Sequence, residues 1–533
     1  MWKRILISLL AVTFALPVWA QDPRPAVQPS SPTQAAGPPI FGRELPPLKL
    51  APATLADLRA RIVEIVRQPA LEPGFFAVKI VSLDSGQTVY EQNANKFVRP
   101  ASNMKLYTVA TAYDRLTPDF HFVTSVYARE KIEDEKIKGD LIVYGRGDPS
   151  IAARFNNGDY FKGINDLADR IVAAGVKRVK GDLVGDESYF NGAPVGSGWE
   201  WEDLTWSYGA QVSALTINDN AIDLNVRPGD KVGAPVSIVS GPPAVSFMTI
   251  INRATTTAKG SRNDLHIFRG LGENSLEITG TLPIGDAGFV GGVAIPDPAL
   301  AFVSMLRDAL NKRGVKIDGR VRTVDYRSGG TLVGAQPAPI EIASLPSPAF
   351  NSIAAQTLKP SQNQYTELIL RTLGKTQPPV NNEPGRTRDD EELGLEIVKS
   401  FLRQAGVNDN DVALNDGSGL SRNDLISANT TIQLLTFMSK HKYFAQFRDA
   451  LPIAGVDGTL RTRMRGTPAE GNVRAKTGSL SSVASLSGYV TTAAGEHLVF
   501  SMMLNNYPDA AAVRRDSIDA IAVLLASFNG KTQ

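Results

Sequence analysis

The chain has no cysteine among its 533 residues, which excludes a disulfide framework, a lipid-bearing cysteine anchor and a thiol nucleophile. Histidine is almost as scarce. His121, His266, His441 and His497 are isolated, and none stands in the His-Glu-x-x-His spacing of a zinc peptidase. They read as surface or packing residues, so no metal and no cofactor is expected. Charge of one sign is lacking too: 56 Lys and Arg against 54 Asp and Glu leave a formal charge of +2. That balance provides no electrostatic basis for binding nucleic acid. What remains, 43% hydrophobic and 21% charged residues, is the composition of a globular protein large enough for two or more cores.

The longest apolar run of the N-terminal segment, residues 5–16, is short for a bilayer span of roughly 20 residues. Lys3 and Arg4 precede it and Val18-Trp19-Ala20 follows as a small-x-small cleavage site. Residues 1–20 therefore read as a secretory signal, and residues 21–50 as a Pro-rich, unstructured linker. The expected location is outside the inner membrane, in the periplasm or at the cell wall, with no firm membrane anchor.

Order begins with a helix from Thr54 that sets Leu58, Ile62 and Ile65 on one face. A hairpin follows, strands at 76–83 and 88–91 around Asp84-Ser85-Gly86. Residues 102–116 are helix-like. Strands at 472–477, 485–491 and 497–504 and a helix over 510–528 close the chain. In that last helix Ile518, Ile521, Leu525 and Phe528 form one stripe, expected to pack on the sheet. The intervening stretch reads as an insertion. Residues 131–190 and 295–339 form an α/β domain, 191–294 a nested β-rich domain, and 51–130 with 340–533 the split host domain. Ala174-Gly175-Val176, Arg313-Gly314-Val315 and Ala405-Gly406-Val407 each read as a glycine closing a helix before a strand.

Three short motifs carry chemistry. Ser102-Asn103-Met104-Lys105 opens the first long helix, so Lys105 faces Ser102 across one turn. The helix start also offers free N–H groups and a positive dipole end to a developing oxyanion. Ser361-Gln362-Asn363 lies between two helical stretches, and Lys476-Thr477-Gly478, followed by Ser479, lies on a strand. Other copies serve as controls. Ser439-Lys440-His441-Lys442 repeats the first spacing within a solvated basic cluster, and Ser-x-Asn recurs at Ser261, Ser421, Ser427 and Ser527. Only one Lys-Thr-Gly exists, and the three motifs occur in order.

A serine hydroxyl attacks an acyl group only when a base takes its proton. Lys105 is the nearest candidate, provided burial or the nearby Lys476 charge lowers its pKa from about 10.4. Lys476 and Thr477 form a cationic, hydroxyl-bearing edge suited to a substrate carboxylate, Asn363 can both donate to and accept from a substrate amide, and Gly478 lets a ligand approach the strand. Residue types and spacing leave open which lysine or serine carries each proton.

These motifs, with their contexts Arg99-Pro-Ala-Ser-Asn-Met-Lys105 and Leu358-Lys-Pro-Ser-Gln-Asn-Gln-Tyr-Thr-Glu367, resemble the low-molecular-mass, class C penicillin-binding proteins of the D-alanyl-D-alanine carboxypeptidase/endopeptidase family. Gly145-Arg-Gly-Asp-Pro149, Gly181-Asp-Leu-Val-Gly-Asp186, Tyr208-Gly-Ala210, Ser213-Ala-Leu215 and Asp416-Gly-Ser-Gly-Leu-Ser421 are similar to that family as well, and the likeness covers most of residues 55–530. One departure is Gln362, where many relatives have Asp. The resemblance implies an α/β (α+β) penicillin-binding/β-lactamase-like transpeptidase fold. In it, an antiparallel sheet with flanking helices and an all-helical subdomain is interrupted by a large α/β and β-rich insertion.

The resemblance also implies that Ser102 is acylated, that Lys105 is the base, and that Ser361 relays a proton to the leaving amine. Asn363 would hold the substrate amide, Lys476 and Thr477 the terminal carboxylate, and the N–H groups of Ser102 and Ser479 the oxyanion. Peptidoglycan stem peptides and β-lactam antibiotics are the partners it implies. A β-lactamase-like hydrolase is the competing enzyme, set against by the large insertion and the lack of a glutamate to place the deacylating water. A wall-binding scaffold with a dead site is the non-enzymatic alternative, set against by three intact motifs.

Overall fold

The computed structural model describes residues 51–242, 248–328, 338–379, 386–507 and 511–533. The expected signal (1–20) and linker (21–50) lie outside the described residues.

Apolar runs near both ends of the described chain meet in one antiparallel sheet of five strands. Their spatial order is Arg474–Leu480, Val483–Thr491, His497–Asn505, Phe75–Ser82 and Thr88–Gln92. The middle strand is covered on both faces, which is why Leu498 to Phe500 and Met502 to Leu504 read as nearly unbroken apolar sequence. One face is covered by the helices Leu55–Val66 and Ala511–Ser527, which bury Leu58, Ile62, Ile518, Ile521 and Leu525. Each such side chain is worth roughly 1.5–3 kcal/mol of burial, so the C-terminal stripe is a core face. Thr54 caps the first helix by accepting from the Asp57 N–H at 3.2 Å. On that helix Val66 is buried, whereas Ile65 is only partly covered.

The opposite face carries a helical layer: Met104–Arg115, Phe350–Leu358, Asn363–Thr376, Asp390–Gln404 and Ala428–Ser439. Met104–Arg115 is buried all round from Met104 to Tyr113, as expected of a helix at the centre of the layer.

The insertion has its own five-stranded sheet, ordered Val321–Val324, Leu183–Asp186, Leu141–Tyr144, Val123–Ala128 and Ile340–Pro346. Its first three strands pair in parallel and its last two antiparallel. Val123–Ala128, placed by the sequence boundaries in the host domain, therefore belongs to the insertion's sheet. It pairs with Ile340–Pro346 because the outgoing and returning chains run side by side at the stem. Two stretches of the insertion are each split into a pair of short strands, Arg178–Val179 with Leu183–Asp186 and Lys316–Ile317 with Val321–Val324. Close backbone contact causes the break. A Cβ on Gly181 would lie 2.5 Å from Gly139 C, and one on Gly319 would lie 2.4 Å from Gly181 O. Gly175 and Gly314, read as helix caps, do adopt positive φ. Each also starts the same strand–glycine–strand stretch, and the two stretches pair in parallel. The β-rich strands, among them Ala221–Arg227, Ser275–Pro283 and Phe289–Ala294, share one apolar cluster with this α/β layer.

Candidate active site

The chain reaches Ser102 through a single 3₁₀ turn, Ala101–Asn103, before the α-helix Met104–Arg115 begins. One turn separates Ser102 from Lys105, and Lys105 Nζ donates to Ser102 Oγ at 3.0 Å. Ala101 holds φ at 48°, a left-handed conformation costly for a residue with a Cβ. The strand pair beside it pins the turn. Ser485 Oγ donates to Pro100 O at 2.8 Å, and Asn103 Nδ2 donates to Ser487 Oγ at 2.8 Å. At Gly478 a Cβ would fall 2.1 Å from Ser485 Oγ and 2.6 Å from Pro100 O, so the glycine lets the strand approach the Ser102 turn.

Ser361 occupies the sharp turn between the helices Phe350–Leu358 and Asn363–Thr376, with φ at 69°. Gln362 N–H closes the turn onto Thr357 O at 2.9 Å. Lys476 Nζ donates to Ser361 Oγ at 2.8 Å and to Thr477 O at 2.9 Å. Asn363 links the two halves of the site. Its Oδ1 accepts from Lys105 Nζ at 2.6 Å, and its Nδ2 donates to Tyr208 O at 2.9 Å. The remaining donation from Lys105 goes to Ser418 O at 2.8 Å.

Neither lysine reaches solvent. Burial pushes Lys105 down from 10.5 to about 7, against the pull of Asp416, Glu367 and Asp424, which favour its charged form. Lys476 also lies well below the ordinary lysine range, through burial first and the Lys105 charge second. The expected influence of Lys476 on Lys105 is therefore reversed: desolvation lowers Lys105, and the Lys105 charge in turn helps lower Lys476. Burial also places Lys476 behind the strand edge, not on it. What the edge presents is hydroxyl: Ser479 lines the cleft, and half-buried Thr477 donates to Thr459 Oγ1 at 2.7 Å.

Above the lysines lies a cleft of about 200 Å³ whose lining includes Ser102, Ser361, Asn363 and Ser479. Its wall also includes residues not among the site candidates: Asp203 and Tyr208 from the insertion, and Leu420 and Arg422 from the loop before the helix Ala428–Ser439. Arg422 pairs with Glu200 at 2.9 Å and stands 4.0 Å from Asp203. The only sequence signal for this wall is family likeness around Tyr208 and Asp416 to Ser421, because Tyr208 lies 106 residues beyond Ser102 and Leu420 lies 57 beyond Asn363, far outside any local pattern. A larger cavity, about 350 Å³, opens beside Phe122 and Arg146 and is lined by none of the motif residues. The histidines lie elsewhere. His441 pairs with Asp114 at 3.0 Å, and His121 contacts Ser347 O at 2.6 Å.

A family model described as the D-Ala-D-Ala carboxypeptidase 3 (S13) family matches residues 58–528. A D-alanyl-D-alanine carboxypeptidase from an Actinomadura species is 34% identical over 489 residues, covering 90% of this chain and 86% of the relative. The D-alanyl-D-alanine carboxypeptidase DacB of Haemophilus influenzae is 28% identical over 442 residues, covering 81% and 85%. The crystal structure of penicillin binding protein 4 from Haemophilus influenzae superposes with a TM-score of 0.74 at 24% identity, over 88% of this chain and 99% of that one. A second structure of that protein, complexed with a novel β-lactam, gives 0.69 at 23% identity, covering 89% and 100%.

Proposed function

Because the chain belongs to the D-Ala-D-Ala carboxypeptidase 3 (S13) family and is a serine D-Ala-D-Ala carboxypeptidase, we propose that Ser102 is the residue its substrates acylate and Lys105 the base that activates it. The observation that carries this reading is the 3.0 Å bond from Lys105 Nζ to Ser102 Oγ, beneath a cleft that Ser361 and Asn363 also line.

In this mechanism Ser102 Oγ attacks the carbonyl of the penultimate D-alanine while neutral Lys105 takes its proton. The N–H groups of Ser102 and Ser479 hold the tetrahedral oxyanion. Ser361, bonded to Lys476, relays the proton taken by Lys105 to the departing D-alanine amine, so that Lys105 is neutral again and Ser361 keeps its hydroxyl. Water then cleaves the ester on Ser102. Asn363, with one amide hydrogen given to Tyr208 O, has a second for the substrate backbone. Thr477 and Ser479 offer hydroxyls to the terminal carboxylate, with Lys476 behind them. A cross-linked stem peptide presents the same carbonyl with another leaving amine, so DD-endopeptidase activity uses the same groups. β-Lactams acylate the same serine, a reading supported by the β-lactam complex of the structural relative. The substrate places the enzyme outside the cytoplasm, at the periplasm or cell wall. Among the described residues no helix is long and apolar enough to cross a membrane.

The test is labelling with a fluorescent penicillin followed by peptide mapping. Wild type carries the adduct on Ser102, and Ser102→Ala loses both the adduct and release of D-alanine from a stem pentapeptide. An adduct on any other residue refutes the assignment.

A further inference from the structure

Beneath Lys105, the segment from Asp416 to Ser421 closes on its own first side chain. The Asp416 carboxylate accepts from the N–H groups of Gly419 (2.7 Å), Leu420 (3.1 Å) and Ser421 (3.0 Å) and from Ser418 Oγ (2.9 Å). This ring turns the Ser418 carbonyl toward Lys105 Nζ, 2.8 Å away. It also seats Gly419 against the nucleophile turn, where a Cβ would fall 1.9 Å from Ala101 O. The fifth donor comes from the insertion: Trp199 Nε1 donates to Asp416 Oδ2 at 2.8 Å. The same segment of the insertion is strapped down on both sides. Ser197 N–H donates to Glu391 Oε1 at 2.8 Å, and Asn191 and Asp390 exchange two bonds of 2.8 and 2.7 Å.

We propose that Asp416 is a positioning residue for acylation, aiming Lys105 at Ser102 through the Ser418 carbonyl, and that the inserted domain completes this arrangement through Trp199. The inference rests on Lys105 being the base at Ser102. Five donors converging on one carboxylate fix its place, and through the Ser418 carbonyl the place of the Lys105 amine. Among the groups facing Lys105, Asp416 favours the amine's charged form most. Glu367 and Asp424, carboxyls pushed well up by burial, act on Lys105 in the same direction after it. Lys476 is pushed well below the ordinary lysine range by burial and by the Lys105 charge. Behind them Glu391 is paired with Arg371 at 3.0 Å. Asp416 thus leads the groups that compensate Lys105, while its ring fixes where the Lys105 amine points.

The experiment uses the full chain, measuring second-order acylation by benzylpenicillin from pH 5.5 to 9, with mass mapping of the adduct and thermal unfolding of each variant. Trp199→Phe keeps an aromatic ring but removes the N–H. It is expected to remain folded and to acylate Ser102 about tenfold more slowly, the loss of one hydrogen bond to a charged group. On a stem pentapeptide the loss falls on kcat rather than KM. Asp416→Asn is expected to acylate about a hundredfold more slowly, with its acid limb moved to lower pH by about one unit because the stabilising anion is gone. A purely structural role would lower rate and stability without moving that limb. Wild-type rates in Trp199→Phe, or an unmoved limb in folded Asp416→Asn, with Ser102 labelled throughout, overturn this inference alone. If Asp416→Asn does not fold, the rate and kcat–KM split of Trp199→Phe decide. A wild-type adduct on a residue other than Ser102 overturns the site assignment and this inference together.

Discussion

The rate of acylation is expected to follow the protonation of one buried amine. Lys105 can accept the Ser102 proton only when neutral, and burial lowers it to about 7. Below that pH its neutral fraction falls tenfold per unit, so at pH 5 about 1% of the plateau rate remains, and above pH 8 the rate is level. Stopped-flow acylation of Ser102 by a chromogenic β-lactam from pH 5 to 10 reads this limb directly. Stability supplies an independent check with the sign worked out. In the unfolded chain the amine keeps its proton up to about 10.4, whereas in the folded protein it gives it up near 7. Between those values the unfolded state binds more protons, so stability from this group rises with pH, by at most about 1.4 kcal/mol per unit. Below pH 7 both states are protonated, the slope vanishes, and the burial penalty is fully present. Lys105→Met removes the titration. The melting temperature of wild type relative to Lys105→Met therefore climbs between pH 7 and 9 and is flat below 6. A rate still rising at pH 10, or a level difference in melting temperature across the range, refutes the argument that desolvation prepares the base.

Two further outcomes follow from backbone geometry at the site. Ser361→Gly relieves a left-handed serine (φ 69°) and is expected to keep or raise stability by up to about 1 kcal/mol. It also strips Lys476 of its hydroxyl partner, so kcat on a stem pentapeptide falls by roughly 10²–10⁴; activity within tenfold of wild type would remove Ser361 from the proton path. Gly478→Ala drives a methyl into Ser485 Oγ and Pro100 O, an overpacking expected to cost about 1–3 kcal/mol. It is expected to slow penicillin acylation while Thr477→Ala, with no such clash, leaves stability within about 0.5 kcal/mol. Calorimetry and acylation rates on the two variants separate packing from ligand contact.

Much of this protein was readable from local pattern. The helix capped by Thr54, the hairpin after it, the three closing strands and the stripe of Ile518, Ile521 and Leu525 depend on periodicity and turn chemistry within a dozen residues. So does the pairing of Ser102 with Lys105, since one helical turn is enough to make residues three apart neighbours. Nothing local could reveal that Gly478 serves the nucleophile turn, that Lys476 lies behind its strand edge, or that Val123–Ala128 leaves the host domain for the insertion's sheet. Those depend on which distant segments meet. Chemistry encoded in short words was determined by the amino-acid order alone. Burial, which sets the charge of both lysines, and the convergence of Trp199, Asp416 and Lys105 were decided only by the fold, because desolvation and long-range hydrogen bonds exist only once the segments are packed together.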